Sequence, residues 1–145
     1  MTKVYEGECL CGAIKYRVTA EPIVSGACFC RDCQKTSGGA EAHGIMFPAS
    51  AVTVVEGEPE TFSNTVDSGN TVFRQFCPTC GVHVISWNSA APEYKAIKVG
   101  TLKDPSDYRS QGSLWVSSAQ PWHRPDPDLP QHAKMPCVTE LAVAP

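Results

Sequence analysis

Seven of the eight cysteines in this 145-residue chain fall into three tight groups. These are Cys9-Leu10-Cys11, Cys28-Phe29-Cys30-Arg31-Asp32-Cys33 and Cys77-Pro78-Thr79-Cys80, while Cys137 stands apart. Cys77 and Cys80 span a tight turn, with Pro78 to set it and Gly81 behind it to permit a positive φ. Such a turn aims backbone N–H groups at two sulfurs and makes half of a tetrahedral zinc site. A structural zinc takes four protein ligands at about 2.3 Å, so this half needs a partner. Cys9-Leu10-Cys11-Gly12 is the expected one, since it too ends in glycine. In a straight strand the Cα atoms of Cys9 and Cys11 would lie ~6.6 Å apart, so the chain must bend there. Structural zinc supplies about 10–16 kcal/mol of apparent binding energy, comparable with the ~5–15 kcal/mol that stabilises a whole domain. The rival, unmetallated core cysteines, leaves the paired spacing unaccounted for.

The middle group, Cys28, Cys30 and Cys33, has no fourth cysteine at knuckle spacing. Three protein ligands and an open position form the pattern of a catalytic zinc. A divalent ion on three thiolates carries a net negative charge, which makes it a weak Lewis acid. It is poorly suited to generating hydroxide and well suited to taking up a soft substrate thiol. Two zinc ions per chain are expected, one structural and one catalytic. Alternatives would close the second site: Cys137, or a histidine, with His43 following the group more closely than His83, His123 or His132. Cys30-Arg31-Asp32-Cys33 is formally a C-x-x-C motif, but no βαβ pattern surrounds it to favour redox chemistry.

The elements that must position these groups read as strands. Ile14, Tyr16 and Val18 alternate with Lys15, Arg17 and Thr19, the period-two signature of a half-buried strand. Residues 52–55, 61–66, 71–76, 83–87, 94–99 and 113–118 are further short runs rich in β-branched and aromatic residues, separated by Gly, Pro, Asn and Asp. The expectation is a single all-β domain over 1–145, with one helical turn at 31–35 stopped by Gly38-Gly39. Five of the 12 prolines lie between Gln120 and Cys137, which forbids regular structure there. Trp122 and Leu129 imply that this proline-rich 121–145 segment packs on the sheet.

The formal charge of −3, with 19 % charged residues, gives no basic footprint for nucleic acid or a membrane surface. No apolar run reaches the ~18 residues of a spanning helix. The opening Met-Thr-Lys-Val-Tyr-Glu-Gly-Glu has no apolar h-region. The expected location is cytoplasmic, where clustered thiols stay reduced.

Beyond spacing alone, the motifs carry a resemblance. Cys9-x-Cys11-Gly12, then Cys28-x-Cys30-x-x-Cys33 with Ser37-Gly38, then Arg74-x-Phe76-Cys77-x-x-Cys80-Gly81 resemble the glutathione-dependent formaldehyde-activating enzyme and centromere protein V family. Val99-Gly100-Thr101-Leu102-Lys103-Asp104 and Ala119-Gln120-Pro121-Trp122 are similar to that family's later segments. The resemblance implies a β-tent zinc fold of folded antiparallel sheets. It implies Cys9, Cys11, Cys77 and Cys80 on a structural zinc, and Cys28, Cys30 and Cys33 on a catalytic one. It further implies a carbon–sulfur lyase or synthase that joins a small-molecule thiol such as glutathione to an aldehyde, formaldehyde giving S-hydroxymethylglutathione. Phe29 departs from the pattern, standing where many relatives carry histidine. Arg31, Lys35 and Arg74 are candidates to hold substrate carboxylates, against the commoner role of solvated surface charges; Phe29, Phe47, Trp115 and Trp122 are candidates to wall a pocket, although aromatics in a small β domain are core residues first. Two rivals come from other classes. One is a non-catalytic zinc-stabilised binding module. The other is methionine sulfoxide reduction with Cys137 as nucleophile, which leaves the middle cysteines without a role.

Overall fold

The computed structural model describes residues 1–136 and Glu140; Cys137 lies outside the described residues. Within residues 1–136 ten strands and one short helix follow in chain order: β1 (Tyr5–Glu8), β2 (Lys15–Val18), β3 (Val24–Cys28), α1 (Arg31–Thr36), β4 (Ala42–Pro48), β5 (Val52–Glu56), β6 (Glu60–Thr65), β7 (Thr71–Phe76), β8 (His83–Asn88), β9 (Tyr94–Lys98) and β10 (Ser113–Leu114). They form a three-stranded sheet ordered β1-β2-β5 and a seven-stranded sheet ordered β10-β3-β4-β9-β8-β7-β6. The fold is the expected all-β tent, folded from two sheets with little helix.

The alternation read in the sequence sets the inner face of the small sheet. Tyr16 and Val18 are buried while Lys15 and Arg17 face out. Across from them Ile45 and Phe47 of β4, Val84 and Ile85 of β8 and Ile97 of β9 complete one core cluster, with Cys9 and Cys77 inside it. The Tyr16 hydroxyl does not go unpaired there; it meets Thr101 Oγ1 at 2.8 Å. Gly7 makes room for it, since a Cβ at that position would sit 2.1 Å from the same hydroxyl. A bridge between Gly7 and Leu102, and the Lys103 N–H bond to the Glu6 carbonyl, join the two sheets at one end.

Three expectations need correcting. Not every pairing is antiparallel: β10 runs parallel to β3, Ser113 opposite Ala27 and Leu114 opposite Cys28. The strand expected over 113–118 ends at Leu114, because Trp115 takes a left-handed conformation (φ 56°) and Val116–Ser118 form a 3-10 turn. Trp122 is 63 % exposed rather than packed on the sheet, and holds the proline-rich segment only through its indole N–H, which donates to Gly39 O at 3.2 Å. Its buried neighbour His123 holds Gly39 O through Nε2 at 2.8 Å, and the Ser113 N–H bonds Pro130 O while the His132 N–H bonds Ser113 O. Phe29 and Phe47 take the core positions expected first of such aromatics and are buried in the interior.

Candidate metal centres

Cys9 and Cys77 open two loops of nearly equal construction. The Cys9 N–H bonds the Ile14 carbonyl at 3.0 Å, and the Cys77 N–H bonds the Val82 carbonyl at 3.0 Å. Each loop turns at a glycine of positive φ, Gly12 at 78° and Gly81 at 77°, where any side chain would be strained. That turn supplies the bend that Cys9-Leu10-Cys11 requires. The ladders slip by one residue at Lys15/Tyr16 and at Gln75/Phe76, just beside the loops. Such bulges commonly redirect a strand end.

The two loops bring four sulfurs, Cys9, Cys11, Cys77 and Cys80, within 4.8 Å of one another. Cys9 and Cys11 are 3.6 Å apart, and Cys11 and Cys77 3.7 Å. Zinc with four sulfurs at about 2.3 Å requires tetrahedral edges of about 3.8 Å, so the donor set fits the ion. Backbone N–H groups converge on the cluster, as Ile14 does on Cys9 Sγ at 3.3 Å. Bonds from the Val82 and Cys11 N–H groups pull the Cys80 thiol down to about 6. Cys11 accepts from the Ala13 N–H, yet loss of water and its three sulfur neighbours push it up to about 11. Four crowded sulfurs cannot all ionise unaided, and a divalent cation resolves that conflict.

Cys28, Cys30 and Cys33 converge separately, their sulfurs also within 4.8 Å of one another. Cys28 ends β3 and Cys30 caps α1, its sulfur accepting the Cys33 N–H at 3.3 Å. Gln34, 2 % exposed, fixes this short helix. Its amide donates to Phe29 O at 2.7 Å and Ser118 O at 2.9 Å. Asp32 anchors the other side, accepting from Asn64 of β6 at 3.0 Å and Arg74 of β7 at 3.4 Å. Bonds from the Cys28 and Cys33 thiols and from two backbone N–H groups drive Cys30 far down, making it the thiolate of the three. Cys28 holds its proton for the same bond, and burial adds to that. Among the described residues no fourth Cys, His, Asp or Glu joins this group. One anionic sulfur, two more at hand and a shortfall of one donor suit a soft divalent ion that keeps a free position.

His43 is occupied elsewhere, with Nδ1 on the Tyr108 hydroxyl at 3.1 Å and Nε2 on Glu41 at 3.2 Å. Arg74 is buried and taken up by Asp32 and Asn64, while Arg31 is exposed and bonds Gln34. Sequence reasoning overlooked Gln34, Asn64 and Lys98. Lys98 directly precedes the Val99–Leu102 segment of the family resemblance; the Cys28 bond and the charge of Lys98 pull the Cys33 thiol down, but its bond to Cys30 and burial outweigh them and leave it raised. Lys98 also acts on His83, which burial first and the charges of Lys98 and Arg74 next bring down to about 3. A cleft of about 480 Å³ has Thr36, Glu41, His43, Cys80, His83 and Lys98 on its walls, so the cysteine that lines it belongs to the four-sulfur group.

The family model of the glutathione-dependent formaldehyde-activating enzymes matches residues 4–118. The chain belongs to this family. A Halomonas elongata protein named provisionally as a glutathione-dependent formaldehyde-activating enzyme is 32 % identical over 93 residues, a match spanning 61 % of this chain and 59 % of that relative. The crystal structure of a Rhodobacter sphaeroides protein, a structural-genomics target, shares the fold with a TM-score of 0.52 and 26 % identity. That likeness covers 68 % of this chain and 87 % of the other. Both cysteine groups lie inside the region matched by the formaldehyde-activating family.

Proposed function

We propose that the protein is a zinc-dependent carbon–sulfur lyase or synthase acting on a thiol–aldehyde adduct, with S-(hydroxymethyl)glutathione chemistry as the nearest case. The observation that carries this reading is the contrast between a set of four sulfurs and a set of three. Cys9, Cys11, Cys77 and Cys80 would hold a structural zinc. Cys28, Cys30 and Cys33 would hold a second. When bound there, zinc would supply a position for a substrate sulfur and lower that thiol's pKa.

The rest of the site orients. Gln34 and Asp32 keep the three sulfurs on a rigid segment, so that the reacting thiol arrives in one place. Lys98 adds positive charge beside a group that gains negative charge on taking up a thiolate. The overall reaction joins the thiol sulfur to the aldehyde carbon and moves the thiol proton to the aldehyde oxygen; the reverse breaks that bond and returns the proton. Chemistry that needs free thiolates belongs to a reducing compartment such as the cytoplasm. Among the described residues no helix is long and apolar enough to cross a membrane.

Exchange NMR on glutathione, formaldehyde and the zinc-loaded protein tests the reading, because adduct formation also proceeds unaided. Exchange faster than the spontaneous rate, and lost in Cys30→Ser, is the expected result. Exchange at the spontaneous rate with two zincs bound would leave a zinc-stabilised binding module instead.

A further inference from the structure

Among the described residues every sheet edge but one is blunted. Ser113 of β10 is bridged by Gln131 and bonded by Pro130 O, and Gly7 of β1 is bridged by Leu102. β5 carries a bulge at Val55, because Tyr16 faces Val54 while Lys15 faces Glu56. β6, the last strand of the large sheet, has none of these devices. Its six residues pair with β7 without a slip, include no lysine or proline, and leave Phe62 59 % exposed. An open edge of this kind is a template for another strand.

The ladder fixes which groups of β6 point outward. The Val66 N–H bonds Asn70 O, while Thr71 exchanges bonds with Ser89 on the β8 side. Bonded and non-bonded pairs alternate along an antiparallel ladder, so Thr61, Ser63 and Thr65 turn N–H and C=O away from β7. Among the described residues the one partner of these groups is the Asn64 amide, 3.5 Å from Thr65 O. Pro59, which has no N–H, and the turn at 67–69 bound the free edge, and Ser63 is its midpoint. An antiparallel copy of the strand centred on Ser63 pairs Thr61 with Thr65 and Ser63 with itself, using every outward group. A slip of two residues either way sets Thr65 against Pro59 or Thr61 against Asp67 in the turn. In the centred register Phe62 lies opposite Asn64 and diagonal to the other Phe62, within aromatic reach, and Glu60 faces Val66 rather than a like charge.

We propose that β6 is a self-pairing edge, joining two copies of this chain about a two-fold axis at Ser63 into one continuous sheet. A patch that complements itself is what a two-fold dimer requires. Phe62 of the second copy then packs opposite Asn64, the residue that holds Asp32 beside the three-sulfur group. The pairing is independent of the reaction the protein performs.

Sedimentation velocity on the zinc-loaded chain tests it, with a dimer expected to dissociate on the order of 10 µM, as a small interface gives. Ser63 is exposed, so Ser63→Lys and Ser63→Asp should each keep the circular dichroism and zinc content of wild type. Each should weaken the dimer more than tenfold, since like charges then face each other across the axis. An equimolar mixture of the two variants should dimerise again, because only this register sets residue 63 against itself. A wild-type chain that stays monomeric at millimolar concentration overturns the proposal. So does a dimer that both variants leave intact, or a mixture of them that stays monomeric. Dimers that form only after residues 137–145 are removed would assign the edge to the chain's own end and overturn it as well.

Discussion

The two cysteine groups differ in how the chain reaches them. One is assembled from loops on separate sheets, so its sulfurs meet only after the tent has folded, and two of them, Cys9 and Cys77, are part of the core itself. The other lies on six consecutive residues between β3 and α1, and each of its cysteines is only half buried. A cation in the first group would cross-link distant chain and resist removal; a cation in the second constrains little and stays accessible. The comparison separates what a metal does for folding from what it does for chemistry.

The sharpest way to break the comparison is Cys77→Ser. It opens the cross-link at its buried end, and on the order of 10 kcal/mol of metal-coupled stability should disappear. Little folded protein should remain by circular dichroism. Cys30→Ser should keep the fold, with a melting temperature within about 5 °C of wild type, while one zinc per chain and the exchange activity vanish. Equal unfolding in both variants would erase the distinction between the two groups.

Gln34→Leu is a finer probe, because it touches the shorter group without removing a sulfur. It leaves Phe29 O and Ser118 O without their donors, which should cost about 2–3 kcal/mol and lower the melting temperature by roughly 6–10 °C. Zinc affinity should fall at the second site only, as competition with a chelator would show.

The smallest expected effect is a slope. His83 titrates near 6.5 when unfolded and is brought down to about 3 in the fold, so the unfolded chain binds the extra proton between those values. Its share of stability is complete above pH 6.5 and fades as pH falls towards 3. Denaturant titrations of His83→Leu should therefore show a shallower loss over that window than wild type. An identical slope would mean that His83 is protonated or solvated in the native state.

Much of this was legible in the sequence, and the gaps have physical causes. The alternation at Tyr16 and Val18 and the β-branched runs marked six strands correctly, because those segments have one buried and one open face. β1, β3 and β4 went unread. Tyr5-Glu6-Gly7-Glu8 and Val24-Ser25-Gly26-Ala27-Cys28 contain glycines and small residues demanded by close neighbours. A Cβ on Gly26, for instance, would come within 3.0 Å of the Gly112 carbonyl, and no propensity scale sees that. The cysteine groups were visible through their spacing, since metal donors need fixed offsets along the chain. Gln34, Asn64 and Lys98 were not, because a positioning residue is defined by what the fold brings to it. For Arg74 the sequence offers a carboxylate holder or a solvated surface charge; it is neither, because its partner Asp32 arrives from 42 residues away.

X-ray absorption at the zinc edge of the loaded protein tests the central claim most directly. With four sulfurs at one ion and three at the other, the mean sulfur number should be about 3.5 and rise to about 4 when a thiol is added. A mean of four sulfurs before any thiol is present, unchanged by its addition, or a single zinc per chain would contradict it.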